Sequence, residues 1–210
     1  KKYYYDANGL LIKKEVDGDG GDTFEVSYTE YYSYDAQNNL IAKGIDWEGD
    51  GQVDTLEKYV LDSLGRVIET HQFKDGNDKA EDGVSERQAD AIIYNIIDSV
   101  TGYVMERRED LDGQGSSNTD SIDKITVYVR DIDGRNLQES QFLDGDTSNN
   151  DGKADKVVYH KYDDSGYRVE EQQDNNGDGN IDKIMKFENV AGGHIAYIHN
   201  YNDGDAENDS

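Results

Sequence analysis

The chain contains no cysteine and no proline. Without cysteine, no disulfide can cross-link it and no thiol-based metal or redox site can exist. No apolar stretch approaches the about 20 residues that a membrane-spanning helix requires, so we expect no membrane insertion. Basic residues are scarce, since 21 Lys and Arg stand against 47 Asp and Glu, for a formal net charge of −26. Such a chain repels phosphates, which excludes nucleic acid as a partner.

Apolar residues are also few, at 34% of the chain, and the aromatic residues are 16 Tyr against 4 Phe and 1 Trp. Tyrosine covers a sheet face while its hydroxyl end stays in water, so a thin, half-exposed sheet is expected rather than a thick core. Acidic chains of low hydrophobicity are often disordered. The regular alternation of segments such as 23–28 indicates strands instead.

A short pattern recurs seven times along the chain. An alternating strand ends in Asp, a Gly or Asn turn follows, and after a second strand comes an acidic, Gly-rich loop. The turn residues are Asp6, Asp35, Asp62, Asp98, Asp131 and Asp163, with Asn189 in the seventh copy. We read one repeat array over 1–210, with repeats at 1–22, 23–54, 55–86, 87–123, 124–155, 156–182 and 183–210. Units this small fold only by stacking on their neighbours.

The turn residues predict tight hairpins. An Asp at the first turn position can accept hydrogen bonds from the backbone two residues on. Gly9 stands at the fourth position, where a type I turn is closed by a left-handed residue, and Asn38 takes that place in the second copy. The sequence therefore predicts an all-β fold of about fourteen strands. Tandem antiparallel hairpins would form an elongated or coiling ribbon or solenoid.

A second period overlies the first. Copies three, five and seven carry an aromatic residue and a longer loop, starting at Phe73, Phe142 and Tyr201, whereas copies two and six carry a compact loop. Either the structural unit contains two hairpins, or the repeats have diverged.

The acidic loops are candidate calcium sites. A twelve-residue calcium loop supplies oxygen ligands from alternate positions, with glycine at the sixth position. The second loop has Gly51 at that position and the apolar Val53 at the eighth. Its candidate ligands, in order, are Asp46, Glu48, Asp50, Gln52 through its carbonyl, Asp54 and Glu57.

The other loops match less completely. The sixth loop offers Asp174, Asn176, Asp178, Asn180 and Asp182, with Met185 where the last ligand would stand. The first offers Asp17, Asp19 and Asp22; the third Asp75, Asn77, Asp78, Asp82 and Glu86; the fourth Asp110, Asp112, Asp120 and Asp123; the fifth Asp144, Asp146, Asn149, Asp151 and Asp155. A solvated acidic turn is the alternative for each loop. Magnesium is the competing ion, but it demands tighter geometry than these variable loops offer.

Two resemblances support this interpretation. The segment Tyr4-Tyr5-Asp6-Ala7-Asn8-Gly9-Leu10 is similar to the YD repeats of bacterial RHS proteins. The loops resemble the DxDxDG calcium loops of EF-hands, dockerins and thrombospondin type 3 repeats. Neither family fits throughout, since EF-hands flank the loop with helices and RHS repeats have no obligatory calcium loop. The resemblance implies a bacterial, secreted or surface-displayed calcium-binding repeat protein, similar in style to large adhesins.

Nothing in the chain indicates catalysis. The four histidines, at 71, 160, 194 and 199, have no metal-ligand spacing with one another, and zinc lacks its preferred ligands. The Gly-rich loops carry acids rather than the Lys and Ser/Thr of a phosphate-binding loop. We expect no enzymatic activity.

These features together predict a calcium-stabilised extracellular structural or adhesive repeat protein: a spacer, fibre or adhesin stalk that binds several calcium ions. The chain starts in a strand and stops in an acidic loop, so the expected neighbours are further repeats of a longer chain or other copies of itself, head to tail. A surface glycan or protein is a further candidate partner. The alternatives are a calcium-dependent carbohydrate-binding domain of β-propeller type, or a shell fragment of RHS type.

Overall fold

The computed structural model describes residues 1–18, 24–78, 88–113, 122–143, 153–190 and 194–201, with only the backbone at 189–190 and 194–197. Within them lie fourteen strands and no helix. The strands are β1 (Lys2–Tyr5), β2 (Leu11–Val16), β3 (Tyr28–Tyr34), β4 (Leu40–Asp46), β5 (Thr55–Leu61), β6 (Val67–Phe73), β7 (Ala91–Ile97), β8 (Val104–Asp110), β9 (Lys124–Arg130), β10 (Asn136–Phe142), β11 (Lys156–Tyr162), β12 (Arg168–Asp174), β13 (Lys183–Val190) and β14 (His194–Tyr201).

Each strand lies beside its neighbours in the sequence, in the order β1 to β14. The registered pairs are antiparallel, as in β3–β4 and β9–β10. The predicted all-β class and the tandem antiparallel hairpins are therefore confirmed. The chain divides into two units, one comprising Lys1–Asn95 with Glu109–Ser117 and the other Ile96–Arg108 with Asn118–Ser210. In the described part of the chain, no helix is long and apolar enough to cross a membrane.

The predicted turn chemistry is confirmed in five copies, whereas in the fourth copy Gly102 N–H donates to the Asp98 carbonyl at 2.9 Å and the turn is one residue longer. Asp62 Oδ1 accepts hydrogen bonds from the backbone N–H groups of Leu64 (2.9 Å) and Arg66 (3.0 Å), and Gly65 N–H donates to the Asp62 carbonyl at 3.0 Å. Asp6, Asp35, Asp131 and Asp163 make the same pair of side-chain bonds. Asn38 has φ +69°, so it takes the left-handed conformation that Gly takes in the other copies. Strand register shifts beside the turn, as between Val60 and Leu61, which marks the expected bulge.

The main hydrophobic cluster of the first unit lies on one face of its sheet. Directly opposed residues share a face, so the pairs Gly44–Leu56 and Leu56–Phe73 place these three side-chain positions together. We call this the loop face. Phe73 and Ile92 are 4% and 6% exposed there and pack with Ala89, which precedes β7. Each large apolar side chain buried in this way contributes about 2 kcal/mol.

The second unit repeats this arrangement. The pairs Phe142–Ile125, Ser140–Val157 and Val157–Asp174 set the loop face of that unit. The buried residues on it are Ile125, Phe142, Val157, Asp174 and Ile184. They alternate along the strands with side chains of the other face, as the period of a strand requires.

The opposite face of the first unit is polar and aromatic. The Tyr59 hydroxyl donates to Glu57 Oε2 at 2.7 Å, and the Tyr32 hydroxyl donates to Glu30. Burial, and then the glutamate acceptor, raise the pKa of both tyrosines above the usual value. Burial also pushes the Glu30 pKa upward, but the bonds from Tyr32 and Lys14 outweigh it and lower that pKa. These pairs let a thin sheet bury tyrosine rings without losing their hydroxyl partners.

Candidate metal-binding loops

The second acidic loop begins at a buried carboxylate. Asp46 ends β4 on the loop face, where it is only 1% exposed and stands opposite Thr29 of β3. Its Oδ1 accepts the N–H groups of Gly49 (2.6 Å) and Asp50 (3.2 Å), and its Oδ2 accepts that of Gly51 (2.9 Å). Gly49 and Gly51 have φ +71° and +92°, in the left-handed region that favours glycine. The loop therefore winds around the carboxylate that starts it.

The sixth loop has the same conformation in the second unit. Asp174 ends β12 at 2% exposed and accepts the N–H groups of Asn176 (3.3 Å) and Gly179 (2.9 Å). Gly177 and Gly179 have φ +67° and +91°, close to the values in the second loop. Among the described residues, neither Asp46 nor Asp174 forms an ion pair with a Lys, Arg or His side chain.

Asp178 lies at the tip of the sixth loop. The backbone N–H of Asn180 donates to its Oδ1 at 2.8 Å, and the Asn176 amide donates to its Oδ2 at 3.3 Å. The backbone bond from Asn180 is the largest of the effects that hold the Asp178 pKa below its usual value, and Lys153 adds an attractive charge. This carboxylate is ionised at neutral pH and exposed, as a cation ligand requires.

Five loops are closed by a recurring pair of bonds, which we call the neck clamp. In the second loop, Asp54 N–H donates to the Ile45 carbonyl (2.8 Å), and Trp47 N–H donates to Asp54 Oδ2 (2.6 Å). Asp182 does the same for Gln173 and Asn175, at 2.8 and 2.7 Å. The remaining clamp residues are Ser27, Asp90 and Asp155. The clamp joins the last residue before one strand to the end of the strand before it.

The residue before the clamp folds back onto the sheet. Val53 packs against Gly44 of β4 so closely that a Cβ on Gly44 would lie 2.9 Å from Val53 Cγ1. The carbonyl of Val53 lies in turn against Gly76 of the next loop, where a Cβ would come within 1.7 Å of its oxygen. The apolar eighth position of the predicted calcium loop thus has a packing role.

Glu57 does not join the other candidate ligands of the second loop. It pairs with Lys43 across β4 and β5, whereas Asp46 shares its face with Gly44, so Glu57 lies on the opposite side of the sheet. There its carboxylate accepts bonds from Tyr59 (2.7 Å) and from the Gln72 amide (3.1 Å).

The irregular loops are described in part. In the third, Asp75 accepts the Asn77 N–H at 3.1 Å, and Asp78 forms an ion pair with Lys58 at 3.1 Å. Asp17 follows β2, while Asp110 is fully buried at the end of β8. Asp110 and Asp112 belong to the first unit and Asp123 to the second. The remaining candidates lie outside the described residues: Asp19, Asp22, Asp82, Glu86, Asp120, Asp144, Asp146, Asn149 and Asp151.

The two compact loops contain the types of ligand atom that an oxygen-coordinating cation binds. Carboxylates, amide oxygens and backbone carbonyls are the ligands that calcium takes. A carboxylate offers roughly four lone-pair directions, and Asp46 uses them for three N–H groups. In the described part of these loops, no three carboxylates place oxygens within 4.8 Å of one another. The structure arranges these side chains as acceptors for backbone amides.

Sequence reasoning missed the neck clamp at Ser27 and Asp90. Its signal is an apolar residue followed by Asp directly before a strand, as in Val53-Asp54, Ala89-Asp90, Ala154-Asp155 and Ile181-Asp182. It also missed the correspondence of Asp46 with Phe73 and of Phe142 with Asp174. Each of these residues ends an even-numbered strand on the loop face, and the N–H of its clamp residue bonds the carbonyl just before it.

Comparison with known proteins identifies no family. No family model matches the chain, and no curated protein matches it. A solved structure of a porin-like protein from Bacteroides uniformis ATCC 8492 is similar over 86% of this chain, with a TM-score of 0.40 and 10% sequence identity. The chain spans 59% of the length of that structure.

Proposed function

We propose that the chain is a calcium-stabilised structural repeat protein that works outside the cell as a spacer, fibre or adhesin stalk. The observation that carries the proposal is the pair of buried carboxylates, Asp46 and Asp174, at equivalent places in the two compact loops. Each is bonded to backbone amides and, among the described residues, to no basic side chain. Hydrogen bonds from amides stabilise such a charge but do not neutralise it.

The surrounding charge supports a cationic partner. The chain has a net charge of −26, and self-repulsion of this size works against a compact fold. Roughly six ions of charge +2 would offset about twelve of these charges. Calcium sites of extracellular modules bind with Kd near about 10⁻⁴ to 10⁻³ M, so such sites fill outside cells and stay empty inside them.

The proposed mechanism is electrostatic. Without the ion, the carboxylates of a loop repel one another across the neck clamp. With the ion, the loop becomes rigid and holds two successive hairpins in register. The function is mechanical, and no step of catalysis is involved.

The test compares the melting temperature and circular dichroism of the chain in millimolar calcium and in chelator, with magnesium as a second ion. We expect a higher melting temperature in calcium than in either other condition. Equal melting in calcium and chelator would remove the basis of the proposal.

A double variant locates the effect. Asp50→Asn with Asp54→Ser removes two charges from the second loop but keeps hydrogen-bond acceptors, because Ser27 already performs the clamp in the first loop with a Gly18 N–H···Oγ bond of 2.8 Å. We expect this variant to bind about one ion fewer in a calorimetric titration, while its strand content by circular dichroism is unchanged. An unchanged number of bound ions would exclude the second loop as a site.

A second candidate function is carbohydrate binding. Trp47 is 53% exposed, and its ring lies 5.5 Å from that of Tyr28 at an interplanar angle of 46°. Exposed aromatic rings with a polar edge suit the apolar faces of sugars. A glycan array, with Trp47→Ala as the control, tests it: loss of a specific hit in the variant would favour this function, and no hit with the intact chain would exclude it.

A further inference from the structure

We infer that neighbouring loops within a unit are mechanically coupled, so that an acidic loop stays closed only while the next loop along the chain is closed against it. The inference concerns the regulation of the proposed ion sites. Its ion-binding part rests on the proposed function, whereas the coupling itself rests on backbone geometry alone.

The coupling contact is a glycine against a carbonyl. A Cβ on Gly76 would lie 1.7 Å from the carbonyl oxygen of Val53, although real Cβ atoms essentially never come closer than 3.0 Å to another heavy atom. Gly113 lies in the same way against the carbonyl of Ala89 (1.7 Å), within the first unit. Gly177 lies against that of Ala154 (1.6 Å), within the second unit. The contact therefore recurs wherever these loop segments are described, and Gly49 shows a looser form against Val26 at 3.4 Å.

The partner of each contact is the residue that closes the preceding loop. The Val53 side chain lies on Gly44 of the sheet. The adjoining Asp54 N–H bonds the Ile45 carbonyl at 2.8 Å, and Asp54 Oδ2 holds Trp47 N–H at 2.6 Å. Val53 thus has the sheet on one side and the next loop on the other. A displacement of its carbonyl by about 1 Å or more, which a side chain at Gly76 would require, must stretch the neck clamp of the second loop.

The consequence reaches the buried carboxylate. When the clamp opens, the segment from Trp47 to Gly51 is no longer held against Asp46, and the amides on that carboxylate exchange with water. The state of the loop at 73–78 therefore sets how well the loop at 46–54 is closed, and through it how well that loop would hold a cation. The coupling is transmitted by the backbone contact between the two successive loops.

Hydrogen exchange on the full chain tests the coupling without any ion. Gly76→Ala adds both left-handed strain, at φ +67°, and the clash with Val53. The matched control is Gly9→Ala, which adds the same kind of strain, at φ +84°, with nothing within 4 Å of the new methyl group. We expect amide exchange in segment 47–52 to become at least about tenfold faster in Gly76→Ala and to stay near the wild-type rate in Gly9→Ala. Peptides from β3, which lies in the same unit, report whether that unit as a whole has been destabilised.

Two results would overturn the inference. One is equal acceleration of segment 47–52 in both variants; the other is acceleration in Gly76→Ala confined to segment 73–78. If Gly76→Ala does not fold, denaturant-dependent exchange of the wild-type chain replaces it. The amides of Gly49, Gly51 and Gly76 should then share one opening reaction, and clearly separate openings would contradict the coupling.

Calcium separates this inference from the proposed function. If calcium slows exchange of segment 47–52 in the wild type but not in Gly76→Ala, both stand. Equal protection in both proteins would refute the coupling and leave the ion site intact. No protection in either protein, together with the expected difference between the variants in chelator, would refute the ion site and leave the coupling intact.

Discussion

Removal of the Asp46 carboxylate is the most direct test of how the second loop is held. Asp46→Ala deletes the acceptor of three backbone N–H bonds, of 2.6, 3.2 and 2.9 Å, at a position 1% exposed. Hydrogen bonds to charged groups contribute about 1.5–3 kcal/mol each. The three donor residues are themselves exposed, so their amides regain water when the acceptor is lost. We therefore expect a loss of about 2–3 kcal/mol, rather than the sum of three buried bonds.

The assay is urea unfolding at neutral pH in chelator, followed by circular dichroism. Asp46→Asn keeps the shape and one strong acceptor, so it should lose about 1 kcal/mol. Asp50→Ala is the matched control within the same loop, since the exposed Asp50 carboxylate bonds only the backbone and side chain of Gln52 among described partners. It should lose less than about 0.5 kcal/mol. If Asp46→Ala unfolds within error of Asp50→Ala, the loop is not held by its first carboxylate, and the interpretation of the compact loops fails.

Three further predictions follow from the same geometry. Phe73→Ala should lower the unfolding free energy of the first unit by about 3 kcal/mol, because it leaves a cavity beside Ala89 and Ile92. The control Leu64→Ala, at a position 72% exposed, should change this free energy by less than about 0.5 kcal/mol in the same urea titration. The stability should fall as the pH drops below about 4, the usual range of Asp. The reason is that hydrogen bonds lower the pKa of Asp35 and Asp62, chiefly from the Asn39 side chain and from the Arg66 backbone, respectively. The folded state therefore binds fewer protons than the unfolded state in this range, and this contribution to stability is lost when the carboxylates are protonated. Asp62→Asn should keep the turn and reduce this acid dependence in unfolding curves between pH 3 and 5, and an unchanged pH profile would show that the turn carboxylate does not contribute to it.

The hairpins could be predicted because their determinants are local. The Asp62 side chain bonds residues two and four places on, and the left-handed residue stands three places on. All of these fall within one turn, so the printed sequence contains the whole cause. The strands follow from alternation in the same way, since the side of a strand on which a residue lies is fixed by its parity.

Glu57 shows where counting positions was not enough. The twelfth place of a calcium loop can supply a ligand when the chain after the loop keeps turning, as in a helix. Here β5 starts at Thr55, and the alternation of a strand directs Glu57 and Leu56 to opposite faces. The oxygen type and spacing were right for a ligand, but the secondary structure after the loop changes the direction of that side chain.

The role of Asp54 could not be separated from that of a ligand by sequence alone. A carboxylate at the ninth place serves equally as a metal ligand and as an acceptor for a backbone amide. Only the recurrence of Ser at the same place in the first loop, where Ser27 accepts the Gly18 N–H, indicates that the neck clamp needs an oxygen and not a charge. The need for glycine at position 76 could not be predicted either, because the steric constraint comes from the preceding loop and not from its own turn.

The buried aspartates at the ends of β4 and β12 account for the conformation of the two compact loops. Asp46 and Asp174 are buried carboxylates that gather the amides of their own loops, so a short loop of nine residues can close upon each of them. Phe73 and Phe142 occupy the equivalent places at 4% and 8% exposed, but a phenyl ring accepts no amide and packs into the core instead. The loops that follow them are longer in the sequence. A buried aspartate is therefore shared by both compact loops but does not by itself fix the loop length, because Asp110 is also fully buried at the end of its strand and starts a longer loop.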